Sequence, residues 1–157
     1  MILVSGANGF VGKSLCRMLA EQRQIVRKTT RRINMQVKNN ETLGVGELNG
    51  QSDWTKALLD IKVVIHLAAR VHVMNDASTD PLAEFRKVNV EGTLNLAKQA
   101  AKAGVKRFIF MSSIKVNGEH SDLDKPFTEV DMADPQDAYG ISKFEAEQGL
   151  LLIAQQT

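Results

Sequence analysis

The sequence predicts an α/β fold on a doubly wound parallel sheet, from three observations. Apolar runs alternate with amphipathic stretches along most of the 157 residues, the pattern of strand–helix–strand units. The central apolar runs are continuous, as befits strands covered by helices on both faces. A glycine-rich turn, Gly6-Ala7-Asn8-Gly9-Phe10-Val11-Gly12, follows the first run and opens the first amphipathic stretch.

Five strands are expected: Ile2 to Ser5, Gln24 to Thr29, a short one near Leu43 to Glu47, Val63 to Leu67, and Arg107 to Ser112. Helices fill the gaps. The first spans Gly9 to Glu21, with Val11, Leu15, Met18 and Leu19 on one stripe. A second covers Ser52 to Leu59, and a third runs from Pro81 to Ala103, with Leu94, Ala97 and Ala101 toward the sheet and Gly104 as its stop signal. The last begins near Asp137, and the polar stretch from Asn117 to Asp134 before it reads as a loop over the site.

The length suits one domain, residues 1–157, with a substantial core. Hydrophobic residues make up 43% and charged residues 24%, which excludes disordered and collagen-like classes. A net charge of +2 falls short of a dedicated nucleic-acid binder, and no apolar run reaches the ~20 residues of a membrane helix. The lone Cys16 reads as a small core residue in a reducing cytoplasm, and Trp54, Phe108 and Phe110 also read as core. Arg27, Lys28, Arg31 and Arg32 form the one basic cluster, which fits a solvated surface or a phosphate site. His66, His72 and Asp76 complete no metal-ligand spacing, so no metal is expected.

Glycines at the spacing of Gly6, Gly9 and Gly12 let a backbone turn tightly and admit a diphosphate to its amides. An overlapping motif, Ala7 to Ser14, approaches the phosphate loop of nucleotide hydrolases, with Lys13 and Ser14 in the gripping positions. That reading requires a magnesium-binding aspartate at a later strand end, and neither Val63 to Leu67 nor Phe108 to Ser112 supplies one. Tyr139, the single tyrosine, precedes Lys143 by four residues. On a helix the two share a face, and a cation beside a phenol favours its ionised form, so the pair is suited to acid–base work.

The glycine turn, Ser112-Ser113 at a strand end and Tyr139-x-x-x-Lys143 on the next helix together resemble the short-chain dehydrogenase/reductase superfamily. More narrowly, the chain resembles the N-terminal part of its extended, UDP-glucose 4-epimerase-like members, with a Rossmann-type fold. Gly46-Glu47-Leu48, His66-Leu67-Ala68-Ala69 and Asn89-Val90-Glu91-Gly92-Thr93 are similar to further segments of that group. The resemblance implies that Ser113 polarises a sugar oxygen, Tyr139 exchanges the proton, and Lys143 favours the ionised phenol and binds the nicotinamide ribose. It also implies cofactor contacts from Gly6, Asn8, Gly9, Phe10, Val11, Gly12, Glu47, Leu48, Leu67, Ala68, Ala69 and Asn89. The substrate implied is a UDP-sugar, with a homodimer as a further expectation.

Two departures refine the expectation. Thr29-Thr30-Arg31-Arg32 stands where NAD-binding members place an aspartate, so NADP is preferred and NAD remains open. Ile114-Lys115 stands where dehydratases carry Asp-Glu, which favours epimerisation or 4-keto reduction, in the manner of a subset tied to surface-polysaccharide sugars. A non-catalytic NADP-binding module is the rival reading. Extended members run on into further strands and a substrate domain, so the chain is expected to be truncated and, alone, to turn over no sugar.

Overall fold

The computed structural model describes residues 1–32, 42–71, 79–121 and 123–157. Among them, β1 (Ile2–Ser5), β2 (Val26–Thr30), β3 (Thr42–Gly44), β4 (Val63–His66) and β5 (Arg107–Phe110) form one sheet in the order β3-β2-β1-β4-β5. Every pairing is parallel, with Ile2 beside Val26 and Val63, and Val63 beside Arg107. The strand order reverses between β1 and β4. In open parallel sheets that reversal parts the loops at the carboxyl edge and opens a crevice for ligands.

Leu3 and Val4, both 0% exposed, point to opposite faces of β1 and so anchor two separate cores. One face carries Val4, Ala7, Cys16 and Leu19 beneath helix α1 (Phe10–Glu21). On the other, Leu3, Trp54, Leu58, Ile61 and Val64 pack with Leu96 of helix α3 (Thr93–Lys102). The doubly wound expectation is therefore met, except at β5. There Arg107 and Ile109 face outward while Phe108 and Phe110 are half-buried, so one side of this strand is bare rather than covered.

The helices depart from the sequence reading in three ways. In α1 the contact line runs through Gly12, Cys16 and Leu19, while Val11 and Met18 are about half exposed. Small side chains at 12 and 16 let the helix axis approach the sheet, which rotates the larger ones outward. In α3, Thr93, Leu96, Ala97 and Ala100 are buried, whereas Leu94 turns toward helix α4 (Ala138–Gln156) and packs at Gly149. The stretch from Ser52 to Leu59 is a series of turns, not a helix. Its amides find other partners, Trp54 N donating to Gln99 Oε1 at 2.9 Å, and Asp60 at φ 61° breaks any continuation.

The expected helix from Pro81 to Ala103 is present but compound. Helix α2 (Pro81–Phe85) is capped by Asp80, whose carboxylate accepts from Ala83 N at 3.0 Å. A π-helical segment (Arg86–Gly92) then leads into α3. At its end, Val105 N bonds Ala100 O and Gly104 N bonds Ala101 O, both at 3.0 Å, a Schellman motif with Gly104 at φ +74°.

Arg27 is removed from the basic cluster, being 7% exposed with Nη1 donating to Ala57 O at 3.0 Å and Leu59 O at 2.6 Å. It ties the turns before β4 to β2. His72 and Asp76 lie outside the described residues. A methyl group at Gly104 would meet nothing within 4 Å, so Gly104→Ala isolates the backbone term. Urea unfolding should show a loss of about 1–2 kcal/mol; an unchanged midpoint would remove the left-handed cap as the helix stop.

Candidate cofactor and proton-transfer site

The turn after β1 is pressed against the turn after β4. Gly6 sits at φ +69°, and a Cβ there would lie 2.7 Å from Ala68 N. Backbone meets backbone at this point, so no side chain fits. Gly9 N closes the turn on Gly6 O at 3.0 Å, and Gly9 then caps α1 with no side-chain hydrogen bond. The first-turn amides of α1 are thus left without a capping side chain, the arrangement that suits an anion. Asn8, Phe10 and Val11 are exposed around them, as are Lys13 and Ser14.

Arg31, Arg32 and Glu47 are exposed beyond β2 and β3. Leu48 places its side chain in the core beside Trp54. Three strand spacings separate β2 from β5, roughly 14 Å. The basic residues and the Tyr139 helix therefore mark opposite ends of one carboxyl edge.

Helix α4 begins at Asp137, whose Oδ1 accepts from Gly140 N at 2.6 Å. Four residues apart on it, Tyr139 is half-buried and Lys143 is 2% exposed. Phe85 meets the Tyr139 ring edge-on with centroids 6.1 Å apart. The Lys143 ammonium lies 3.9 Å from the Phe110 ring centroid, a cation–π contact that offsets part of its desolvation. Burial still pushes its pKa down from 10.5 to about 8, opposed by Glu147 one turn on. Among the described residues no hydrogen-bond acceptor reaches this ammonium.

Asn89, projecting from the π-helical segment and 1% exposed, joins three elements. Its Oδ1 accepts from Arg70 N at 2.8 Å, while Nδ2 donates to Arg70 O and to Ser142 Oγ, both at 3.0 Å. Ser142 in turn donates to Tyr139 O at 2.7 Å. The extra residue in a π turn shifts the inward-facing positions, and such turns concentrate at functional sites.

Ser113 caps a 3₁₀ turn (Ile114–Val116), its Oγ accepting from Lys115 N at 3.2 Å. That turn docks on the start of α4, since a Cβ at Gly140 would lie 2.6 Å from Lys115 O. Lys115 Nζ also pairs with Asp137 at 3.0 Å and Glu119 at 2.7 Å, and these carboxylates hold its pKa above the usual value. An open cleft of about 450 Å³ borders Ser112, Ser113, Asn117, Phe127 and Glu147. Ser112 Oγ is buried there with no partner. Sequence reasoning named Ser113, Tyr139, Lys143 and Asn89 but missed Phe85, Phe110, Ser142 and the clamp role of Lys115. Ser142 lies beside Lys143 in the chain, and Phe110 precedes Ser112-Ser113, so proximity to the motif was the available signal.

His66, in contact with Ser5 and Thr93, is 1% exposed, and burial, with a smaller effect from Lys143, lowers its pKa from 6.5 to about 3. Between those values the unfolded chain takes up the proton and the folded chain does not. Stability is therefore full above pH ~6.5 and falls below it, by up to about 1.4 kcal/mol per pH unit from this group. Urea midpoints at pH 7 and pH 5 should differ accordingly, and equal midpoints would contradict the buried neutral ring. For Lys143, ¹³Cε chemical shifts should show half-protonation near pH 8 in the dinucleotide-free chain; titration near 10.5 would mean the ammonium is solvated.

The model of the NAD dependent epimerase/dehydratase family matches residues 2–157. A UDP-glucose 4-epimerase from Vibrio cholerae is 44% identical over 153 residues, covering 98% of this chain and 47% of that protein. The solved complex of MoeE5 with UDP-glucose and NAD superposes at TM-score 0.80 and 30% identity, covering 98% of this chain and 48% of the other. A short-chain dehydrogenase/reductase superfamily protein from Agrobacterium tumefaciens with bound NAD gives 0.76 and 30%, covering 97% and 44%. The chain thus spans about half the length of these relatives. A match from the second residue to the last, over a sheet of the same topology class, settles the lineage: the chain belongs to the NAD dependent epimerase/dehydratase family.

Proposed function

We propose that this chain forms the cofactor-binding half of a cytoplasmic nucleotide-sugar epimerase or 4-keto reductase acting at sugar C4 on a UDP-sugar. The observation that carries the reading is Lys143, a residue 2% exposed whose ammonium rests on the Phe110 ring, has no acceptor among the described residues and lies one helical turn from Tyr139. Desolvation already lowers the Lys143 pKa to about 8, so an oxygen ligand at the ammonium would be stabilising. A ribose diol of a nicotinamide dinucleotide has the oxygens required.

The rest of the edge fits the same group. The turn between Gly6 and Gly12 and the open amides of α1 would hold the diphosphate. Leu67, Ala68 and Ala69 would line the cofactor, with Asn89 fixing the turn at Arg70. When bound, the nicotinamide ring supplies hydride acceptance and donation. Oxidation of a C4 alcohol then requires its hydroxyl proton to leave as the hydride leaves carbon, and Tyr139 takes that proton. In reduction Tyr139 returns it. Ser113 donates a hydrogen bond to the same sugar oxygen, and Lys143 would meet the ribose one helical turn from Tyr139. Tyr139 and Ser113 would serve an epimerase and a reductase alike, since both need one proton moved at the C4 oxygen.

Dehydration is disfavoured by what the structure does with residue 115. Position 115 carries an ammonium in place of an acid, and the carboxylates beside it, Glu119 and Asp137, are both engaged by that ammonium. For the dinucleotide, exposed Arg31 and Arg32 with no acid at the end of β2 favour NADP, whereas relatives solved with NAD favour NAD. Arg31 and Arg32 belong to this chain itself, and on them we propose NADP, with NAD as the alternative.

In a full-length protein containing this segment, Tyr139→Phe should reduce kcat by at least about 100-fold while dinucleotide binding persists. Full turnover in that variant would sink the mechanism. Parallel calorimetric titrations of the chain with NADP and NAD should favour NADP, and Arg31→Ala with Arg32→Ala should abolish the difference. Tighter NAD binding would reverse the cofactor assignment.

A further inference from the structure

Three buried polar side chains beneath the turns have no part in the chemistry above. Ser5, His66 and Thr93 are each 1% exposed or less, and they are joined through the imidazole ring. Ser5 Oγ lies 2.5 Å from His66 Nδ1, and Thr93 Oγ1 lies 2.9 Å from Nε2. Counting donors decides which nitrogen holds the proton. A serine hydroxyl has one proton and two lone pairs. Leu67 N and Ala68 N both donate to Ser5 Oγ, at 3.2 and 3.3 Å, and so occupy the lone pairs. The hydroxyl proton is left for Nδ1. That nitrogen must accept, so the ring proton sits on Nε2 and is donated to Thr93.

The relay spans the point where the sheet reverses. Ser5 ends β1 immediately before Gly6, and His66 ends β4 immediately before Leu67. Thr93 opens α3, so strand ends and helix are pinned together. The opposite tautomer, or an imidazolium, would aim an N–H at a hydroxyl with no free lone pair, and the turns would separate.

We propose that Ser5, His66 and Thr93 are positioning residues that lock the two crevice-facing turns at a fixed spacing, with His66 held as its neutral Nε2–H tautomer. Their importance to dinucleotide binding rests on the function proposed above. Ser5→Ala removes the side-chain acceptor of the Ala68 amide and the donor to Nδ1. Leu67 N keeps the Ser5 carbonyl at 3.3 Å, so the effect concentrates at Ala68.

The test combines ring ¹⁵N shifts, amide exchange and dinucleotide titration on the 157-residue chain. The wild-type ring should show an acceptor Nδ1 and a protonated Nε2. In Ser5→Ala the Ala68 amide should exchange about tenfold faster, and the Kd for NADP or NAD should rise about tenfold. Exchange at Val64 should be retained, and Ser5→Thr should restore both losses. A protonated Nδ1 in the wild type overturns the proposal, as does Ser5→Ala with Ala68 exchange and Kd unchanged within about twofold. Should Ser5→Ala not fold, the wild-type ring shifts and Thr93→Val, expected to raise Kd severalfold, decide the matter. A wild-type chain with the expected tautomer and exchange that binds neither dinucleotide overturns the cofactor reading and leaves the relay standing.

Discussion

The contact between the backbones of Gly6 and Ala68 is the constraint on which the rest of the site depends. With less than 3 Å available for a Cβ, the two turns can only meet as bare peptide, and that closeness follows from the strand order. β1 and β4 are neighbours whose chains leave in opposite directions, so their exits frame a crevice instead of covering it. A larger residue at position 6 would have to displace the β4 turn. It would also shift the α1 amides, which are placed by the bond from Gly9 to Gly6 O.

At the other end of the edge the governing quantity is desolvation. Lys143 is buried by packing that leaves its charge one aromatic face and no acceptor among the described residues. An exposed lysine would be indifferent to a ligand; a buried one is stabilised by any oxygen that completes its coordination. Asn89 performs a complementary task with neutral groups. It satisfies both backbone positions of Arg70 and a hydroxyl on α4, so the β4 turn and the Tyr139 helix keep a common frame. The structure thus divides the labour: satisfied polar networks hold position, and a desolvated cation is held on an aromatic face beside them.

The sheet was legible from the chain because its signals are strong and local. Apolar runs bounded by turn residues located all five strands, and Gly104 ended its helix for a reason visible in one residue. The stretch from Ser52 to Leu59 misled because Trp54, Ala57, Leu58 and Ile61 have helical spacing, while the decisive partner, Gln99, is distant in sequence. Arg27 misled similarly, since its neighbours in the chain are basic but its acceptors are carbonyls in turns 30 and 32 residues away. For the site, motif residues were readable, whereas the side chains that pack against them were not. Phe85 reaches Tyr139 from another helix, and nothing in its local sequence marks that role.

Lys115 shows how one residue can fasten two elements through both its main chain and its side chain. Its ammonium bridges Glu119, in the loop after Ser113, and Asp137, the cap of the helix bearing Tyr139. Each exposed pair contributes little alone. Their geometric consequence is larger, because Lys115 O also packs on Gly140 with no room for a Cβ. Main chain and side chain of one residue therefore fasten the Ser113 turn to the first turn of α4 from two directions. An acid at this position would face Asp137 and Glu119 as a third negative charge and would loosen the junction. The Ser113 turn and the Tyr139 helix are therefore held at a fixed spacing by one residue acting through both its carbonyl and its ammonium.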